Sequence, residues 1–190
     1  MNRRVFTSAL YVAAGYLLAS PAFAQQIESS YTDLNLNIDC TVIQSDDFGS
    51  TWACTGLKGM PVMVTESDLR MSVSYGLTST TEKAAKQKLQ PPNRLGDKIE
   101  WRVSNAEGYW KPFATILPFF TQGEEGKPES QILVVTKIAP GATCHIAYID
   151  ALANPDANDL ARKTADEKAK DFDCAASGPE YVGKFEAWKR

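Results

Sequence analysis

Four cysteines, Cys40, Cys54, Cys144 and Cys174, restrict the fold more than any other feature of this 190-residue chain. An even number suggests disulfides wherever the compartment is oxidising. Zinc is the rival reading. Structural zinc sites use close C-x₂₋₄-C pairs, and no two of these cysteines are that close. Two disulfides are therefore expected, from three possible pairings.

The start of the chain points to the compartment. Asn2-Arg3-Arg4 is a short positive region, and Val5 to Ala19 is uncharged and mostly apolar. Ser20-Pro21 breaks the run, and Ala22-Phe23-Ala24 places small residues at −3 and −1 of a cut before Gln25. These are the parts of a cleaved secretory signal over residues 1–24. The apolar run is shorter than the roughly 20 residues a membrane span needs. Arg3-Arg4-Val5-Phe6 resembles a twin-arginine export signal, but Thr7 stands where leucine is usual, so the general secretory route is expected. The address is then the periplasm or the exterior.

The signal carries two arginines and no acid, so its removal takes the formal charge from −3 to −5. An acidic chain without a lysine/arginine block argues against nucleic acid and anionic membrane surfaces as partners. No other long apolar run follows, so no membrane span is expected after cleavage.

Residues 25–37 are polar and read as a loose N-terminal arm; residues 38–190 read as one domain. Cys40 to Gln44 and Thr51 to Thr55 read as strands around the turn Ser45-Asp46-Asp47-Phe48-Gly49-Ser50. Reversal near Asp47 sets Cys40 against Cys54. Opposed strand residues have Cα atoms about 4.5–5.5 Å apart, which a disulfide accepts. Short strands over Val62–Thr65 and Leu69–Tyr75 complete a first meander. Ser79-Thr80-Thr81-Glu82 reads as a capping box opening a short middle helix, ended by Pro91-Pro92.

A second meander follows. Ile99, Trp101 and Val103 alternate with Glu100, Arg102 and Ser104, giving one apolar and one wet face. Phe113 to Thr121 is apolar on both faces, and its Pro118 suggests a bulge or an edge. Ile132 to Ile138 and Cys144 to Ala151 complete the set. Asn154-Pro155-Asp156 opens a C-terminal helix, with Leu160, Ala161, Ala165, Ala169 and Phe172 on one face. The strand from Cys144 travels about 26 Å, and the helix returns about 27 Å. That pairs Cys144 with Cys174. The expected class is α+β: about eight mainly antiparallel strands in two meanders, a short middle helix and a C-terminal helix.

Little catalytic chemistry is visible. The single histidine, His145, is expected on the strand face shared by Ala147 and Ile149. It could act as a general base, but no G-x-S-x-G or other nucleophile motif accompanies it. Asp46-Asp47-Phe48-Gly49 contains a kinase metal triplet without the other kinase motifs, and reads as a hairpin turn. The acids of the last helix lack the ligand pattern of a calcium loop. Neither G-x-G-x-x-G nor a P-loop is present. No metal, cofactor or catalytic residue is expected.

Aromatic side chains give the one positive signal. Trp and Tyr are favoured at recognition surfaces. Trp52 and Trp101 read as core, whereas Tyr109-Trp110 ends a hairpin tip beginning at Asn105 and including Glu107. A second candidate loop, Gln122 to Ser130, carries Glu124, Glu125 and Lys127.

Asp46-Asp47-Phe48-Gly49 with Trp52-Ala53-Cys54, then Lys58-Gly59 with Pro61-Val62, resembles a family of exported alphaproteobacterial proteins without assigned activity. Trp110 to Ile116 and Cys144 to Asn154 fit the same resemblance, which covers most of the mature chain. It implies a periplasmic address and no activity. The expectation is a non-catalytic periplasmic binding or interaction protein, an envelope-maintenance factor or an inhibitor of a lysozyme-type peptidoglycan hydrolase. Its partner would be a periplasmic protein or a cell-wall component. The alternatives are a small hydrolase using His145 and acids, and a purely structural envelope protein.

Overall fold

A computed structural model describes residues 25–122 and 129–187. The expected signal, residues 1–24, lies outside them, as does Trp188.

The chain opens with β1 (Ile27–Asp33), and the next four strands build the first sheet: β2 (Cys40–Asp46), β3 (Gly49–Thr55), β4 (Pro61–Ser67) and β5 (Arg70–Tyr75). They form an antiparallel meander in chain order. Period-two alternation puts Val62, Val64, Val73 and Tyr75 on one buried face.

The second sheet has seven strands. They are β1, β6 (Asn93–Leu95), β7 (Lys98–Ser104), β8 (Lys111–Thr121), β9 (Ser130–Lys137), β10 (Cys144–Asp150) and β11 (Glu180–Tyr181). Their order is β1-β7-β8-β9-β10-β11, with β6 paired to the far end of β8. All neighbours are antiparallel except β10 and β11. One face carries Trp101, Leu117, Phe119 and Val134 against the first sheet. The other carries Ile116, Leu133, Val135 and Ile149 against α1 (Ala157–Lys168). The result is three layers, sheet on sheet on helix, which is why β8 and β9 are apolar on both faces.

The eleven strands among the described residues exceed the roughly eight expected, and the first of them corrects the loose arm. Residues 27–33 pair along their whole length with β7, from Ile27 opposite Ser104 to Asp33 opposite Lys98. The segment is polar because it is an edge strand with little covered surface, so its sequence carries little apolar signal.

The middle helix is corrected too. Only a four-residue 3-10 turn forms, at Lys83–Lys86. The Glu82 carboxylate does not turn back to cap a helix. It accepts hydrogen bonds from the Thr78 hydroxyl (2.5 Å), Gly141 N–H (2.7 Å) and Thr143 N–H (2.9 Å). Burial pushes this carboxyl upward, but the three hydrogen bonds outweigh it and hold it below the usual carboxylate range.

Pro118 lies inside the sheet rather than at its edge. β7 leaves β8 at Ile116 and β6 joins it at Phe119. Pro118 falls in that gap, where Gly96 N–H donates to its carbonyl at 2.7 Å, so no ladder hydrogen bond is lost.

The disulfides join Cys40 to Cys54, directly opposite on β2 and β3, and Cys144 to Cys174 beyond α1. Asn154 does not cap α1. Its amide donates to the carbonyls of Asp150 (2.8 Å) and Lys184 (2.7 Å) and accepts from Lys184 N–H (2.9 Å). This holds the C-terminal segment, while the helix starts later, at Ala157.

A bulge in β10, between His145 and Ala147, changes which face each residue takes. Cys144, Ile146, Ala147 and Ile149 meet the helix layer. His145 instead packs against Phe119 and Tyr148 on the sandwich side. The expectation that His145 shares a face with Ala147 and Ile149 is thereby overturned, because one extra residue breaks the strand alternation.

A candidate binding hairpin and cleft

The β7–β8 connection, residues 105–110, is built as a braced tip. Gly108 has φ +81°, a region that favours glycine, and its N–H donates to the Asn105 carbonyl at 2.9 Å. Asn105 ties the tip to the chain leading into β1. Its Oδ1 accepts from Gln26 N–H (2.8 Å), its Nδ2 donates to Gln26 Oε1 (3.2 Å), and its backbone N–H donates to the Gln26 carbonyl (3.2 Å). This anchor depends on the segment expected to be loose.

Glu107 organises the other side. It accepts from the Tyr109 hydroxyl (2.8 Å) and from Lys111 Nζ (3.1 Å). The Tyr109 hydrogen bond, followed by the hydrogen bond and charge of Lys111, holds the Glu107 carboxyl below its ordinary range. The same contacts raise the Tyr109 hydroxyl and the Lys111 ammonium.

The expected exposed aromatic pair is divided. Tyr109 is 57% exposed. Trp110 is half-buried and packs against the core between the sheets, with Lys58 Nζ donating to its carbonyl at 3.1 Å. Trp101 is fully buried and Trp52 half-buried against the same core. Glu124, Glu125 and Lys127 lie outside the described residues.

Beside the tip is an open cleft of about 320 Å³ between β1, β8, the β9–β10 turn and the end of α1. Apolar Ile27, Phe113 and Ile138 line it together with charged Glu107, Lys111 and Lys170. Nearby, Lys137 Nζ donates to the carbonyls of Lys170 (3.1 Å) and Phe172 (2.8 Å), which satisfies the open C-terminal end of the helix. An apolar floor with a few charged groups is the usual make-up of a recognition site.

His145 is elsewhere and sealed, at 1% exposure. Its Nδ1 is 3.0 Å from the Tyr148 hydroxyl. Burial pushes its pKa down to about 3 and raises that of Tyr148. It is a neutral ring without a route to a solvent-borne substrate. Asp46 Oδ1 accepts from Phe48 N–H at 2.8 Å, an ordinary turn contact. Among the described residues no group of three His, Cys, Asp or Glu side chains is arranged to hold a metal ion.

Sequence reasoning missed a buried charge network. Glu100 and Arg102 of β7 were expected on a wet face, but β1 and α1 cover them. Arg102 makes a two-pronged contact with Asp166, at 2.8 and 2.6 Å. Glu100 accepts from Arg162 Nε at 2.7 Å and from the Ser29 hydroxyl at 2.5 Å. The Glu100 hydrogen bonds raise the Arg162 guanidinium further. The signal that was present is the spacing of Arg162 and Asp166, four apart on one helical face, matching Glu100 and Arg102, two apart on one strand face.

Compared with known proteins, the chain matches no family model, no curated protein and no solved structure.

Proposed function

We propose that this chain is a non-catalytic interaction protein of the periplasm, and that the hairpin tip at 105–110 is its main contact with a protein partner. The carrying observation is the bracing of that tip: Asn105 locks it to Gln26, and Glu107 fixes both Tyr109 and Lys111. A loop already held in one shape loses less entropy on binding. The exposed Tyr109 ring and the apolar cleft beside it supply contact area. Two disulfides fit an oxidising compartment. The burial of His145 weighs against a general-base role. Among partners, a lysozyme-type peptidoglycan hydrolase is preferred, because a rigid loop can enter the open substrate groove of such an enzyme.

The test is binding and inhibition, with oxidised mature protein, against a panel of periplasmic wall hydrolases. A partner bound at micromolar affinity or better is expected. Tyr109→Ala with Glu107→Ala should weaken it about tenfold or more, with the unfolding midpoint nearly unchanged. Binding that ignores both substitutions would remove the hairpin from the reading.

A further inference from the structure

The open edge of the first sheet carries a second surface. β2 is its outer strand, hydrogen-bonded to β3 on one side only. Every residue from Thr41 to Phe48 is exposed. Val42 stands opposite Trp52 in the ladder and is 54% exposed; Ile43 is 55% and Phe48 85% exposed. The first sheet therefore extends past the cover of the second at this end.

Edge strands are usually protected by lysine, proline, inward charges or a bulge. Of these Cys40 to Ser45 has only a bulge, at Ile43. Its charges stand at the ends and share one sign: Asp39 on one side, Asp46 and Asp47 on the other. From Gln25 to Leu57 the chain contains no lysine, arginine or histidine. Among the described residues none of these three acids has a cation partner.

We propose that β2 receives an extended segment of a partner protein as an added strand, apolar at its centre and carrying lysine or arginine at each end. Main-chain hydrogen bonds to the free edge would hold it, and the flanking acids would select its charge. A second copy of this chain fits less well. Antiparallel self-pairing sets Asp46 and Asp47 of one copy near Asp39 of the other, and parallel pairing aligns like with like; both are unfavourable. The proposal does not depend on the hairpin reading.

Two synthetic peptides of alternating valine and threonine, one with a lysine at each end and one with a glutamate, provide the test against the oxidised mature chain. At low salt the lysine peptide should bind about tenfold tighter or better. Amide exchange across Thr41–Ser45 should slow when it binds. Asp39→Lys with Asp46→Lys and Asp47→Lys should reverse the preference, whereas Tyr109→Ala should leave it unchanged. Unfolding midpoints and thiol counts check that the variants are folded. Equal affinity for the two peptides, binding to neither, unaltered binding when the lysine peptide is N-methylated along its backbone, or self-association through β2 would each overturn the proposal.

Discussion

The Tyr148 hydroxyl lies 3.0 Å from Nδ1 of His145, three residues earlier on the same strand. Residues three apart on a regular strand point to opposite faces, so this contact exists because of the bulge between His145 and Ala147.

The burial of His145 makes stability depend on pH. The folded histidine titrates at about 3, and an unfolded one near 6.5. Between these values the unfolded chain binds the extra proton, so stability falls as pH falls. Urea unfolding from about pH 6.5 down to pH 5, where most carboxylates stay ionised, should show a slope approaching 1.4 kcal/mol per unit. His145→Gln should flatten that slope; an unchanged slope would contradict a buried neutral ring.

Glu82 works through its ionised form. Its folded pKa is lowered, so its contribution is present above the unfolded value and is lost as pH falls through the folded one. Glu82→Gln should cost about 1–3 kcal/mol at pH 7, because an amide donor would then face a backbone N–H. The gap from wild type should narrow below roughly pH 4, as followed by chemical denaturation across pH.

Arg102→Ala should be among the more damaging changes on this face, at about 3–5 kcal/mol, since it strips Asp166 of its two-pronged guanidinium partner and leaves Glu100 with Arg162 as its one cation among the described residues. Arg162→Ala should cost less, because its side chain is more open to water. Denaturation midpoints at equal slope separate the two.

Removing the Cys144–Cys174 bond, with both residues changed to serine, should cost about 3–4 kcal/mol by the loop-closure argument. The Cys40–Cys54 bond closes a shorter loop, 14 against 30 residues apart, and should cost less. Denaturant unfolding of the two double variants checks the order.

At Gly56, a Cβ would meet the Trp101 ring at 2.5 Å. Gly56→Ala should therefore destabilise by about 1–3 kcal/mol through overpacking, with a matching change in tryptophan fluorescence.

The sequence exposed what depends on spacing and concealed what depends on tertiary context. Antiparallel β pairing, the C-terminal helix and the helix face bearing Ala161 and Ala165 follow from periodicity and chain length. β1 is hidden because Ser29, Ser30 and Thr32 do not look like strand interior until β7 pairs with them. The short turn at Lys83–Lys86 reads as a helix because Glu82 fits a capping box, yet the Gly141 and Thr143 N–H groups claim its carboxylate. The hairpin tip is visible in Asn105 to Trp110, but its brace to Gln26 and the inward turn of Trp110 are not. The bulge in β10 has no sequence mark at all.

That bulge gives the second disulfide a use beyond fastening the helix. Cys144 and Tyr148 are four residues apart and would share a face in an even strand, yet one meets the helix layer and the other the sandwich. Only the bulged register turns Cys144 toward Cys174. A molecule whose last long strand had slipped by one residue would therefore retain two free thiols, so counting thiols in refolded protein would count its misregistered fraction.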